Sequence, residues 1–86
     1  MYRVIFDKKV LKFLEKHKWE FLVEKLREII TILKENPYKN NLDIKILKWT
    51  NWFYRLRVWK YRFIYEIIDK ELIIRFINSD KRWDIY

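Results

Sequence analysis

The change of hydrophobic period at Asn36-Pro37 constrains the fold of this chain more than any other feature. Before this point apolar residues recur every three or four positions; after it they alternate, and β-branched and aromatic residues dominate. Proline disfavours a helical conformation in the residue before it, so the dipeptide ends the helical half. The 86 residues leave room for one hydrophobic core. We therefore predict a single α+β domain over residues 1–86.

The first half predicts a strand and two helices. The strand covers Tyr2–Phe6, and Asp7 is expected to be the N-cap of a helix that ends at about Lys16. A second helix is predicted from about Trp19 to Glu35. Helical spacing gives both helices a core-facing stripe, which consists of Val10, Leu11, Phe13 and Leu14 in the first and of Leu22, Leu26, Ile29 and Leu33 in the second.

The second half predicts an antiparallel sheet. Its strands are expected at Asp43–Leu47, Trp52–Val58, Tyr61–Ile68 and Glu71–Ile77. Two-residue turns would join the last three, at Trp59-Lys60 and Asp69-Lys70, although such turns prefer glycine or asparagine to tryptophan. The predicted architecture is an N-terminal strand and a two-helix hairpin on one face of a mostly antiparallel sheet of about four to five strands.

The first hairpin turn fixes which side chains share a face of this sheet. One face would be the core and carry Tyr54, Leu56, Val58, Tyr61, Phe63, Tyr65, Ile67, Leu72, Ile74 and Phe76. The other face would carry Arg55, Arg57 and Arg62, with Arg75 near Ile64 on the next strand. Like charges opposite one another destabilise a strand pair, and this register supplies only Glu66 to compensate them. The pattern favours an anion site; the alternative is a plain solvated basic face.

The charge distribution points to the same stretch. The net charge is +8, and residues 44–65 contain six basic residues and no acidic one. This surplus indicates a polyanionic or acidic partner. The chain lacks cysteine and glycine and has one histidine, which excludes thiolate metal sites, a cysteine nucleophile and a glycine-rich phosphate loop. We expect neither a metal nor a cofactor, and we expect His17 to be a helix-end or surface residue without a catalytic role.

After these exclusions, the remaining possibility is that arginine side chains act on a phosphate group. Guanidinium groups bind phosphate oxygens in pairs and stabilise the extra charge of a transition state. In RNA the nucleophile is the neighbouring 2′-hydroxyl, so a cleaving enzyme needs only to orient it, stabilise charge and assist proton transfer. No apolar run approaches the roughly 20 residues of a membrane span, and a cytoplasmic protein without a membrane partner is expected.

Several segments resemble the RelE/ParE superfamily of toxin–antitoxin toxins. They are Lys45-Ile46-Leu47, Tyr54-Arg55-Leu56-Arg57-Val58, Tyr61-Arg62-Phe63-Ile64-Tyr65, Lys81-Arg82 and Asp84-Ile85-Tyr86. The resemblance covers nearly the whole chain and implies a RelE-like, microbial-ribonuclease-like fold. RelE-type members are messenger-RNA interferases that cut codons in the ribosomal A site and are inhibited by a cognate antitoxin. It therefore implies a RelB-like antitoxin, the ribosome and mRNA as partners, and a toxin–antitoxin hetero-oligomer.

The resemblance also implies a role for each active-site residue. Arg55 and Arg57 would bind and orient the scissile phosphate, and Arg62 would stabilise the transition-state charge. Arg82 would assist the leaving 5′-oxygen, and Tyr86 would stack on or orient the attacking nucleotide. The further cations that we assign to RNA binding are Lys45, Lys48, Lys60, Arg75 and Lys81.

One departure from the family pattern and two competing functions stay open. Some RelE-type toxins have lysine where this chain has Arg55 and Arg57, and arginine is a poor general base because its pKa exceeds about 12. The proton acceptor is therefore unassigned, and Arg57 has an alternative structural role as a partner of Glu66. The competing functions are a ParE-like toxin that poisons DNA gyrase without being an enzyme, and a catalytically inactive basic RNA- or ribosome-binding module.

Overall fold

After one short strand, helices occupy the chain from Lys8 to Glu35, and strands dominate after Pro37, as the change of period predicts. The computed structural model describes residues 1–47 and 53–81. Its elements are β1 (Arg3–Phe6), α1 (Lys8–Lys16), α2 (Leu22–Glu35), β2 (Ile44–Ile46), β3 (Phe53–Val58), β4 (Tyr61–Ile68) and β5 (Ile73–Lys81). The strands form one sheet in the order β1-β5-β4-β3-β2. Only the β1–β5 pair is parallel among these strands.

The helical half differs from the prediction at the start of the second helix. Helix α2 begins at Leu22 rather than near Trp19, because Phe21 adopts a left-handed backbone with φ of 58° and Lys18–Glu20 forms a separate 3₁₀ turn. A left-handed residue cannot continue a right-handed helix, so it splits the apolar stretch in two. Asp7 does occupy the N-cap position of α1, but its side chain makes no capping hydrogen bond there.

The β3–β4 hairpin confirms the predicted register. Val58 pairs with Tyr61, Arg57 with Arg62 and Leu56 with Phe63 across a two-residue turn. Trp59 enters this turn with φ of 56°, a conformation that costs a residue with a side chain roughly 1–2 kcal/mol.

The connection from β4 to β5 is longer than predicted. A 3₁₀ turn over Asp69–Glu71 is followed by Leu72 with φ of 55°, so β5 begins at Ile73. The prediction that Leu72 belongs to the core was wrong, since its side chain is half exposed at this bend. A register shift between Ile64 and Tyr65 follows, which pairs Ile64 with Asn78.

The longer turn also moves Arg75. It pairs with Glu66, so the prediction that Arg75 lies near Ile64 was wrong. The observed turn leaves four residues unpaired instead of the predicted two, so it displaces the partners on β5 before the bulge by two positions.

The core lies between the helices and one face of the sheet, which confirms the predicted α+β architecture. The sheet contributes Leu56, Val58, Tyr61, Phe63, Tyr65, Ile74 and Phe76, and the helices contribute Val10, Leu22, Leu26, Ile29 and Leu33. Phe13 joins the two layers through edge contacts with Tyr61 and Phe63, at 5.8 and 6.1 Å between ring centroids. Leu11 departs from its predicted stripe, because 52% of its surface is exposed. The helices leave the opposite face of the sheet open.

Candidate nucleic-acid interface

The open face of the sheet carries a row of four charges across its strands. Arg57 on β3 and Arg62 on β4 are Cα partners at the centre of the row. Asp43, which precedes β2, flanks Arg57, and Asp80 on β5 is the Cα partner of Arg62. The charges therefore run negative, positive, positive, negative. The outer carboxylates offset the repulsion that two opposed arginines would otherwise cause.

Asp43 holds Arg57 through both main chain and side chain. The Arg57 N–H donates to the Asp43 carbonyl at 2.9 Å, and Arg57 Nε lies 2.8 Å from Asp43 Oδ2. This places the Arg57 guanidinium at the edge of the sheet, where 37% of the side chain is exposed. The alternative structural role for Arg57 therefore has a partner, but the partner is Asp43 and not Glu66.

Arg55 is the least satisfied of the arginines on this face. Its side chain is 16% exposed, and its Nη2 donates to Asp43 Oδ1 over a long 3.4 Å. Its Nε is buried and has no hydrogen-bond partner among the described residues. A buried donor of a charged group that lacks an acceptor is costly. An anion that reached this Nε would remove that cost.

Arg62 presents the planar fork that suits a two-oxygen anion. Its Nε and Nη2 donate to the two carboxylate oxygens of Asp80 at 3.3 and 3.4 Å. Charge-assisted bonds of this kind are usually about 2.7–2.9 Å, so the pair is loose. Two oxygens of a phosphate have a spacing similar to that of the two carboxylate oxygens, and a phosphate carries more negative charge. The arrangement shows that the Arg62 guanidinium is oriented for bidentate anion binding.

The other predicted RNA contacts lie around these arginines rather than among them. Lys45 is exposed on β2 as the Cα partner of Arg55. Lys60 lies in the hairpin turn, 3.4 Å from a Glu20 oxygen. Arg75 lies about 13 Å along the sheet from Arg62, bound to Asp7 and Glu66.

Three of the predicted site residues fall outside the described residues: Lys48, Arg82 and Tyr86. Lys81 is the last residue of β5, and its pairing with Tyr61 places it on the helix-covered side of the sheet. The predicted residues that the structure brings to one surface are therefore Arg55, Arg57, Arg62 and Lys45. We call Arg55, Arg57 and Arg62 the arginine face.

Asp43 and Asp80 are the members of this site that sequence reasoning missed. The expectation that only Glu66 could compensate the arginines was wrong, because strands on either side of the hairpin supply both aspartates. Asp80 is the ion-pair partner of Arg62. Extending the predicted β2 strand opposite β3 would have placed Asp43 beside Arg57. Lys45, Arg55, Arg57 and Arg62 against Asp43 and Asp80 give four positive minus two negative charges, a local surplus of +2.

His17, Tyr61 and Tyr65 are buried and pack in the core. His17 caps α1 at 5% exposure, and its Nδ1 lies 2.9 Å from Glu20 Oε2. This hydrogen bond, with Lys60 nearby, holds the pKa of Glu20 below its usual value. Tyr65 is fully buried, and burial raises the pKa of its hydroxyl well above the ordinary value, so it stays protonated. The helix-end expectation for His17 is confirmed; the surface one was wrong.

The described residues offer arginine chemistry and little else. Over 1–47 and 53–81, no three His, Asp or Glu side chains are arranged to hold a metal ion. Neither helix in the same ranges is long and apolar enough to cross a membrane. The fold and site thus define a small basic α+β domain with three arginines on the open face of its sheet.

Comparison with known proteins places this domain in a family. Residues 4–83 match the family model described as the ParE toxin of the type II toxin–antitoxin system parDE. The chain therefore belongs to this family and is a toxin of the RelE/ParE superfamily. The expectation drawn from the sequence motifs is confirmed.

The individual relatives are named RelE, whereas the family model is named ParE. Toxin RelE1 of Methanocaldococcus jannaschii is 41% identical over 59 residues, which cover 65% of this chain and 66% of the relative. RelE in the archaeal RelE–RelB complex from Pyrococcus horikoshii OT3 is 31% identical with a TM-score of 0.72, over 94% of both chains. The RelB–RelE complex from Methanococcus jannaschii gives 30% identity and a TM-score of 0.75, over 95% of this chain and 94% of its counterpart.

Proposed function

We propose that the chain is a RelE-type endoribonuclease that cleaves mRNA in the ribosomal A site. In this reaction the 2′-oxygen attacks the adjacent phosphorus, the bond from phosphorus to the 5′-oxygen breaks, and a cyclic phosphate and a 5′-hydroxyl result. The chain supplies orientation and charge, and the RNA supplies the nucleophile. A cytoplasmic location, where ribosomes are found, belongs to this proposal.

The observation that carries the proposal is the arginine face itself. Arg57 and Arg62 are directly opposed, and Arg55 lies on the same strand face as Arg57 with a buried Nε that lacks an acceptor. Three guanidinium groups on one open surface match the charge of a phosphate as it gains a bond. Arg82 and Tyr86 complete the site by resemblance, on the leaving oxygen and the attacking nucleotide. Because arginine is a poor base, we assign these arginines to charge and orientation only.

In the free protein, Asp43 and Asp80 bind the guanidinium groups of this site. Each carboxylate occupies guanidinium donors that a phosphate would use. Phosphate binding therefore exchanges one anion for another with the fork already oriented. This exchange predicts steep competition by salt and by other polyanions.

An antitoxin partner belongs to the same proposal. Both archaeal relatives are solved as complexes of RelE with RelB. We expect a RelB-like antitoxin with an acidic or amphipathic helical segment to bind this chain in a hetero-oligomer. Burial by a partner would stabilise so small a domain through mass action.

The test is cleavage of mRNA on programmed ribosomes, with the new 5′ ends mapped by primer extension. The variants are Arg62→Ala, Arg62→Lys and Arg82→Ala, and Arg3→Ala on the outer strand β1 is the matched control. We expect new ends inside the A-site codon for the wild type and Arg3→Ala, and none for Arg62→Ala or Arg82→Ala. Arg62→Lys keeps the charge and loses the planar fork, so it should also cleave poorly.

A ParE-like gyrase poison is the second candidate, because the matching family model is that of ParE. Growth arrest without any cleavage on ribosomes would favour it. Purified DNA gyrase would then lose supercoiling activity when the protein is added. An arrest that survives Arg62→Ala and Arg82→Ala would point the same way. Ribosome binding without cleavage or arrest would identify an inactive RNA-binding module.

A further inference from the structure

Three exposed aromatic residues lie at the hairpin end of the molecule and take no part in the core. Trp19 is 83% exposed, Phe21 is 71% exposed and Trp59 is 54% exposed. Trp19 and Phe21 flank Glu20 between the two helices, and Trp59 lies in the β3–β4 turn. We call these three residues the aromatic end. Their exposed surface is not explained by folding.

A polar link joins the two segments that carry these rings. Glu20 lies between His17 Nδ1 at 2.9 Å and Lys60 Nζ at 3.4 Å. His17 is itself packed against Tyr61, at 5.2 Å between ring centroids. A depression of about 370 Å³ lined by Glu20, Trp59, Lys60 and Tyr61 separates the segments. The segments that carry the three rings are thus neighbours at one end of the molecule, linked through Glu20 and Lys60.

The backbone at this surface is held in a conformation that suits other residues better. Phe21 and Trp59 have φ of 58° and 56°, where glycine or asparagine avoids the cost of roughly 1–2 kcal/mol. Both positions carry a large exposed ring instead. At both positions the strained backbone presents its ring to solvent and not to the core, and backbone strain of this kind is concentrated at functional sites.

The chemistry of the surroundings favours unpaired bases over a protein helix. The rings are separate exposed plates, whereas an amphipathic helix needs a continuous apolar groove. Lys18 Nζ lies 5.4 Å from the centre of the Trp19 ring. The nearby charges are five cations, Lys16, Lys18, Arg57, Lys60 and Arg62, against four anions, Glu15, Glu20, Asp43 and Asp80, a surplus of +1.

The aromatic end also continues the arginine face. Trp59 follows Arg57 by two residues, and Lys60 precedes Arg62 by two, which is about 7 Å along each strand. We propose that Trp19, Phe21 and Trp59 form a stacking platform for unpaired bases of single-stranded RNA whose backbone crosses the arginine face. This platform rests on the proposed function, since it takes the same RNA.

The test compares base-dependent with charge-dependent binding by the full chain. Fluorescence anisotropy measures affinity for a labelled oligouridylate and for an abasic oligomer with the same number of phosphates, at one salt concentration. Trp59→Asn and Phe21→Asn remove a ring and fit the left-handed backbone, so both variants should stay folded. Trp19→Ala removes a ring without touching those positions. Leu72→Asn is the matched control, because Leu72 is also half exposed with positive φ but lies at another turn.

We expect Trp59→Asn to weaken oligouridylate binding about tenfold, the effect of losing one stacked base, with the abasic oligomer unaffected. Leu72→Asn should leave both affinities unchanged. Equal wild-type affinity for the two oligomers, or equal loss of both in Trp59→Asn, would overturn the platform. So would weaker antitoxin binding, or a changed oligomeric state, with RNA binding intact.

The platform and the proposed function fail in different ways. A-site cleavage that persists while the aromatic substitutions leave oligouridylate affinity unchanged overturns the platform alone. Base-dependent binding that is lost in Trp59→Asn, in a protein that never cleaves mRNA on ribosomes, supports the platform and overturns the nuclease.

Discussion

Under the proposed function, we predict that Asp80 stabilises the free protein and competes with phosphate for Arg62. In Asp80→Asn the side chain keeps its shape and loses its charge, so the Arg57–Arg62 repulsion is compensated on one side only. The pair is partly shielded from solvent, with Arg62 19% and Asp80 40% exposed, but its contacts of 3.3 and 3.4 Å are long, so we assign it at most about 1 kcal/mol, the upper end for exposed ion pairs. For a domain of this size that lowers the melting temperature by at most about 4–8 °C.

The same substitution should strengthen RNA binding. Phosphate no longer has to displace a carboxylate, so up to the same 1 kcal/mol returns as affinity, about fivefold. Added inorganic phosphate should also restore part of the lost thermal stability, because a ligand that binds only the folded state stabilises it. Thermal melts with and without phosphate, and anisotropy titrations at one fixed salt concentration, measure both effects.

Asp69→Asn is the matched control for this prediction. It changes the net charge by the same amount, but Asp69 accepts hydrogen bonds from Tyr2 and Tyr38, away from the arginine face. It should therefore leave RNA affinity nearly unchanged. If Asp80→Asn binds RNA more weakly than the wild type, or no better than Asp69→Asn, then Asp80 does not compete with phosphate and the reasoning fails.

Three further predictions concern salt, pH and packing. Arg55→Ala should reduce the slope of log affinity against log salt concentration for single-stranded RNA by about 0.7, and an unchanged slope would remove Arg55 from the phosphate site. The hydrogen bonds from Tyr2 and Tyr38 lower the pKa of Asp69, so its contribution to stability is present above the usual carboxyl pKa and is lost as pH falls through the lowered value. Urea midpoints between neutral and acid pH should thus fall less steeply for Asp69→Asn than for the wild type. Leu56→Ala, at a fully buried position on β3, should lower the free energy of unfolding by about 2–5 kcal/mol in urea denaturation, and a loss below 1 would contradict its place in the core.

Local patterns were sufficient to predict the centre of the sheet but not its flanks. The bounds of β4 and the opposition of Arg57 to Arg62 follow from alternation and one turn, both readable along the chain. The bulge near Ile64 and the long turn before Ile73 could not be predicted, because each is set by how β5 fits between two neighbours. The Arg62–Asp80 ion pair depends on that fit, so it was missed as well.

The aromatic residues illustrate the same limit. Alternation correctly assigned Tyr61 and Phe63 to the core, and Trp59 already stood out as an unusual turn residue. Phe21 gave no such signal, because an apolar residue inside an apolar helical stretch is what a longer helix would contain. Its left-handed backbone arises from the way the two helices meet. Local propensity was overridden there by tertiary packing.

The order of the strands bears on when this protein can become active during its own synthesis. β1 is the first strand to be synthesised, but it pairs in parallel with β5, the last one, and Arg3 is the partner of Ile73. β1 can therefore join the sheet only after β5 has been made. Asp80, which holds Arg62 in place, emerges later still. A partly translated chain lacks β5, which joins β1 to β4 and carries Asp80 beside the arginine face. The toxin can therefore complete its fold only when nearly the whole domain has been translated by the ribosome that makes it.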